Sequence, residues 1–93
     1  MITWDEEKRE KVIKDHGIDF ARIKDLFDDP FPLDYADLDH SFEEERRVIV
    51  GKTAVYGLVL IVYVIRGDDI RLITARRAER WLTRIYEKQN QRY

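Results

Sequence analysis

The chain has 93 residues, 44% apolar and 12% aromatic, which is enough for one small core and points to a single domain over residues 1–93. It has no cysteine, which excludes disulfides and thiolate metal sites and fits a reducing cytoplasm. The formal charge of −2 hides an asymmetry. Residues 66 to 92 carry eight basic and four acidic side chains, a net of +4, which leaves −6 for the remainder. The opening Thr3-Trp4-Asp5-Glu6-Glu7 is unlike a signal peptide. The apolar run Val55 to Ile65 is about half the length of a membrane-spanning helix, so a soluble cytoplasmic domain is expected.

In chain order, a first helix is predicted from about Asp5 to Asp15. Thr3 and Glu6 have capping-box spacing, Asp5 is an alternative cap, and Gly17 is placed to end the helix in a left-handed turn. Its apolar face is thin, formed by Trp4, Val12 and Ile13. A second helix is predicted from Phe20, Ile23, Leu26 and Phe27, with Asp19 as cap and Asp29-Pro30 as stop. Residues 30 to 39 read as extended or looped, anchored by Leu33, Tyr35 and Leu38.

Three strands follow, at Arg46–Lys52, Leu58–Ile65 and Ile70–Ala75. The unbroken apolar run marks the middle one as buried on both faces. Gly57 lies near the first turn and Gly67-Asp68-Asp69 forms the second, so both connections suit antiparallel hairpins. A last helix is predicted from about Arg77 to Gln89. Ala78, Trp81, Leu82 and Ile85 form its core face, and Arg77, Arg80, Arg84 and Lys88 a basic stripe beside it. The fold class is therefore α+β: two N-terminal helices, an antiparallel sheet of three to four strands, and a C-terminal helix.

Arginine forks match phosphate oxygens in pairs, so the basic C-terminal region suggests a polyanion partner. Arg76 and Arg77 stand where a strand enters a helix, a junction at which free amide donors can also meet an anion. Arg71 shares a strand face with Ile73 and Ala75 by alternation, and either reaches a groove or pairs with an acidic neighbour. His40, beside Ser41, has an imidazole suited to proton exchange near neutrality, although Ser41 and Glu44 also have capping spacing. His16 reads as a helix C-terminal cap. Glu45 and Arg46 could be a base and a phosphate clamp, or an ion pair at a strand start. Tyr86 could donate a proton, stack a base, or pack against the sheet. The clusters Asp28-Asp29 and Glu43-Glu44-Glu45 lack metal-ligand spacing, so no metal or other cofactor is called for.

Several segments, read together, resemble the BrnT family of toxins. They are Trp4-Asp5-Glu6-Glu7-Lys8, His16-Gly17-Ile18-Asp19-Phe20, Leu26 to Pro30, His40-Ser41 with Glu44-Glu45-Arg46, Val50-Gly51, Ile70 to Ala78, and Tyr86-Glu87. The resemblance implies a RelE-like fold and a type II toxin–antitoxin ribonuclease that cuts RNA without a metal and blocks translation. It also implies a cognate DNA-binding antitoxin, through which alone the complex would meet promoter DNA. Expected catalytic residues are Arg76, Arg77, His40, Glu45 and Tyr86, with Arg46, Arg71, Arg80, Arg84 and Lys88 on RNA. Lys11, Asp15 and Leu82 depart from the family pattern, where asparagine, lysine and glutamate respectively are common. The competing expectations are a catalytically inactive relative that binds a protein partner, and a regulator that binds nucleic acid without cutting it.

Overall fold

The computed structural model describes residues 1–40 and 44–91, with the backbone alone at His40. The strand Ile2–Thr3 (β1) leads into the helix Glu6–His16 (α1), then two 3-10 turns at Phe20–Arg22 and Lys24–Asp28. Strand Leu33–Ala36 (β2), a short 3-10 turn at Leu38–His40, and strands Arg46–Thr53 (β3), Gly57–Arg66 (β4) and Asp69–Arg77 (β5) follow, before the helix Arg80–Asn90 (α2). The sheet order is β1-β5-β4-β3-β2. β1 pairs parallel with β5 and every other pairing is antiparallel, so the sheet is mixed and five-stranded, where three or four antiparallel strands were expected.

The termini of α1 follow from local chemistry. Asp5, not Thr3, is the cap: its carboxylate accepts the Glu7 amide at 2.7 Å, while Thr3 is spent in β1. Gly17 (φ 69°) closes the helix by donating to the Ile13 carbonyl at 2.9 Å. The expected second helix is replaced by the two 3-10 turns. Phe20, Ile23 and Leu26 are spaced by three, the repeat of a 3-10 turn, and all three are fully buried. Ile23 (φ −124°, ψ 11°) interrupts what would have been a continuous helix.

Two apolar layers sandwich the sheet. One face carries Ile49, Val59, Ile61, Tyr63, Leu72 and Ala75, covered by Val12 of α1 and by Ile18, Phe20, Ile23 and Leu26. The other carries Val48, Val50, Leu60 and Val62, covered in part by Leu82 of α2. β4 lies at the centre, and Val59 to Val64 are buried, as the unbroken apolar run predicts. No helix among the described residues is long and apolar enough to cross a membrane.

Gly51 sits under the second 3-10 turn. A Cβ there would meet Leu26 Cγ and Cδ2 at 3.0 Å and Asp29 Oδ2 at 3.2 Å. Gly51→Ala is therefore expected to destabilise the fold by about 1–3 kcal/mol through overpacking. A lower urea midpoint at unchanged slope checks this.

Arg9 reaches from α1 to Asp19 with two hydrogen bonds, 2.8 and 2.9 Å. The Arg9 guanidinium, helped by the Ala21 amide, lowers the Asp19 carboxyl from its ordinary 3.8 to about 2. A depressed folded pKa stabilises the protein fully above about 3.8, and that contribution is lost as pH falls toward 2. Asp19→Asn is expected to be less stable at neutral pH and to show a flatter stability curve between pH 4 and 2, read by denaturant titration at each pH.

Candidate nucleic-acid groove

Strand register places the candidate residues on the face partly covered by α2. Arg46 lies opposite Val64, and Val64 opposite Arg71. The next row on that face runs Tyr35, Val48, Val62 and Thr74, and the row beyond it Leu33, Val50, Leu60 and Arg76. α2 covers part of this face through Leu82 and Ala78. What stays open is a groove of about 360 Å³ with a floor of Val48, Leu60 and Val62, rimmed by His16, Tyr35, Asp37, Arg46, Thr74 and Arg76.

A bulge in β5 makes this arrangement possible. Val62 pairs with Thr74 but Tyr63 pairs with Leu72, which leaves Ile73 as the extra residue. Strict alternation puts Arg71, Ile73 and Ala75 on one face. The bulge instead sends Ala75 into the core under α1 and turns Thr74 and Arg76 to the face of Arg71 and Arg46. The expectation for Arg71 is corrected in that respect. No ion pair fixes Arg71 among the described residues; its charge acts on Glu44, whose carboxyl is lowered chiefly by its hydrogen bonds with Arg66 at 2.7 and 2.9 Å.

Arg76 is exposed and its guanidinium meets Glu79 Oε1 at 3.1 Å. Burial raises the Tyr35 hydroxyl above its ordinary pKa, against the nearby Arg76 charge, which pulls it down. His16 enters from the end of α1, which runs along the part of β5 that the two-residue β1 leaves uncovered. Its helix-end position is as expected; its place on the groove rim is not, because only the packing of α1 beside β5 decides it. Tyr35 and Asp37 were also missed as site residues. The alternation of Leu33 and Tyr35 was the available signal, since it puts both on one face of an extended segment.

The other candidates lie elsewhere. Arg77 ends β5 and does not belong to α2, which begins at Arg80, so the basic stripe loses a member. It faces the α1 side, with its guanidinium 5.5 Å from the centre of the Tyr56 ring. Glu45, just before β3, pairs with Arg47 at 3.3 Å and not with Arg46. Arg47 in turn binds Asp34 at 2.9 Å and so ties β3 to β2. The Tyr86 hydroxyl donates to Asp29 Oδ2 at 2.6 Å, in a separate cleft lined by Asp25, Asp28, Lys52, Thr53 and Asn90. Burial first, then the hydrogen bond and charge of Asp29, push Tyr86 up to about 12, so it holds its proton throughout the physiological range. Arg80, Arg84 and Lys88 are exposed on α2 and do not line the groove. The His40 side chain and Ser41 lie outside the described residues. Among the described residues, no group of three or more histidine and acidic side chains could hold a metal ion.

Comparison with known proteins agrees with this architecture. The crystal structure at 1.1 Å of the Brucella abortus ribonuclease toxin BrnT superimposes with a TM-score of 0.67 over 85% of this chain and 96% of that one, at 23% identity, which shows a shared fold. No curated protein matches the chain by sequence. The family model described as ribonuclease toxin, BrnT, of type II toxin–antitoxin system matches residues 4–81. Most of the sequence is thereby accounted for, and the chain belongs to the BrnT family of ribonuclease toxins.

Proposed function

We propose that this chain is an endoribonuclease that cuts RNA without a metal ion in the groove between Arg46 and Arg76. The observation that carries the reading is the meeting, on one sheet face, of two arginines and an imidazole around an apolar floor. In metal-independent cleavage the ribose 2′-oxygen attacks the adjacent phosphorus, its proton leaves to a base, and the departing 5′-oxygen receives a proton. Arg46 and Arg76 bind the phosphate and stabilise the charge that grows on its oxygens. Arg71, in the row of Arg46, extends the positive track along the backbone of the RNA.

His16 is the described groove residue that carries an imidazole, the side chain most often used to pass a proton to or from a reacting oxygen. Tyr35 offers a ring on which a base stacks beside the apolar floor. Arg77, Glu45 and Tyr86 act through structure: Arg77 on Tyr56, Glu45 on Arg47, and Tyr86 as the hydroxyl that fastens α2 to Asp29. In a RelE-like toxin this chemistry halts translation, and a cognate antitoxin that binds promoter DNA restrains it.

One feature supports a second reading, an inactive relative that keeps only its binding surfaces. Leu82 is 2% exposed and packs with Val48, Val50, Leu60 and Val62, so that position supplies apolar contact and no carboxylate. The two readings separate on RNA incubated with purified protein and EDTA. The ribonuclease yields fragments ending in a 2′,3′-cyclic phosphate, and its induced expression arrests growth; intact RNA from folded protein leaves the binding module.

Arg76→Ala and His16→Ala are expected to slow cleavage by about 10²–10³-fold while circular dichroism shows an intact fold. Wild-type rates in both would remove the groove from the mechanism. Tyr86→Phe is expected to keep the cleavage rate within a few-fold and to lose about 1 kcal/mol of stability, measured by urea unfolding.

A further inference from the structure

A second trough, of about 520 Å³, runs between α2 and the outer strand β2. Leu33 and Leu82 lie in it, and Pro32, Tyr35, Trp81 and Ile85 line it. Trp81 is 54% exposed and Ile85 48%, an i, i+4 pair that forms an apolar ridge along α2. On the helical wheel Arg80, Arg84 and Lys88 run beside that ridge, on the side away from the core. None of the three has an ion-pair partner among the described residues.

We infer that this trough is the docking site for an amphipathic helix of the antitoxin, with its apolar face on Trp81 and Ile85 and an acidic flank against Arg84 and Lys88. The inference rests on the toxin–antitoxin reading of the family for its partner, and on the geometry alone for the place and the chemistry. The charge selects the flank: a cationic stripe beside an apolar ridge pairs with an acidic amphipathic segment. The shape selects a helix over an added strand. β2 has only four residues, follows Pro30 and Pro32, and carries Asp34 with Asp37 just beyond its end, all of which blunt a sheet edge. An RNA strand would use the cations and stack a base on Trp81, but it would leave the aliphatic Leu33, Leu82 and Ile85 of the trough without an apolar partner.

The same docking accounts for inhibition. Tyr35 lines both the trough and the groove. Glu79 accepts the Trp81 indole N–H at 3.3 Å through Oε2 and meets Arg76 at 3.1 Å through Oε1. A helix seated on Trp81 therefore lies one carboxylate away from the phosphate-binding arginine and covers Tyr35.

The test uses the full-length toxin and purified antitoxin from the gene paired with it. Trp81→Ser/Ile85→Ser is expected to weaken the complex about 100-fold, and Arg84→Glu/Lys88→Glu about tenfold with a reduced salt dependence. The first variant, when free, is expected to cut RNA at the wild-type rate and to escape inhibition at antitoxin concentrations that silence the wild type. The charge-reversed pair, wholly on the surface, keeps the test valid should the first variant fold poorly. Antitoxin affinity unchanged within threefold in the folded variants, or no binding to wild type, overturns the inference. Charge reversal that lowers RNA cleavage but leaves antitoxin affinity intact overturns it in favour of RNA on the stripe. RNA cleavage by the free wild type is scored separately, so a failed ribonuclease reading is not mistaken for a failed docking site.

Discussion

The carboxylate of Asp29 is the junction on which the open side of the sheet depends. Its Oδ1 accepts the Phe31 amide at 2.9 Å, and its Oδ2 accepts the Lys52 amide at 2.9 Å and the Tyr86 hydroxyl at 2.6 Å. One side chain thus joins the 3-10 turns, the end of β3 and the last turns of α2. Burial works against the charged form, yet the hydrogen bonds from Tyr86, Phe31 and Lys52 hold its pKa below the ordinary value. With α2 fastened at this end, Leu82 covers the Val50 and Leu60 end of the sheet face. Val48, Leu60 and Val62 of the same apolar layer also form the floor of the groove.

The groove needs a second device, the bulge at Ile73. A regular β5 would place Arg71 and Arg76 on opposite faces, because side chains alternate and the two are five apart. One inserted residue restores them to the same side. The core gains as well, since Ala75 can then join Leu72 in the layer beneath α1. A single irregularity in backbone pairing therefore serves packing on one face and charge placement on the other.

Exposed apolar residues on α2 take on meaning beside these constraints. The core face predicted for the last helix comprises Ala78, Trp81, Leu82 and Ile85, but the sheet accepts only Leu82 fully. Trp81 and Ile85 remain half in solvent because β2 is too short and too far toward the sheet edge to roof them. A helix amphipathic enough for two neighbours has found only one among the described residues.

Local chemistry was readable from residues alone where a single segment decides the outcome. The helix end at Gly17, the buried middle strand and the two hairpins follow from propensity, period and turn residues, all short-range effects. Between Thr3 and Asp5 as the cap of α1, by contrast, the pairing of Thr3 with Arg71 decides. The resemblance also named the family, through motifs spread along the whole chain. Phe20, Ile23 and Leu26 showed where to look but not how the backbone turns, because a spacing of three serves both a 3-10 turn and one face of a helix. The partners of Glu45, Tyr86 and Arg77, and the arrival of His16 and Tyr35 beside Arg46 and Arg76, lay beyond such reading. Strand order, a one-residue bulge and the docking of α1 beside β5 set those distances, and each is a long-range packing outcome that no local pattern encodes.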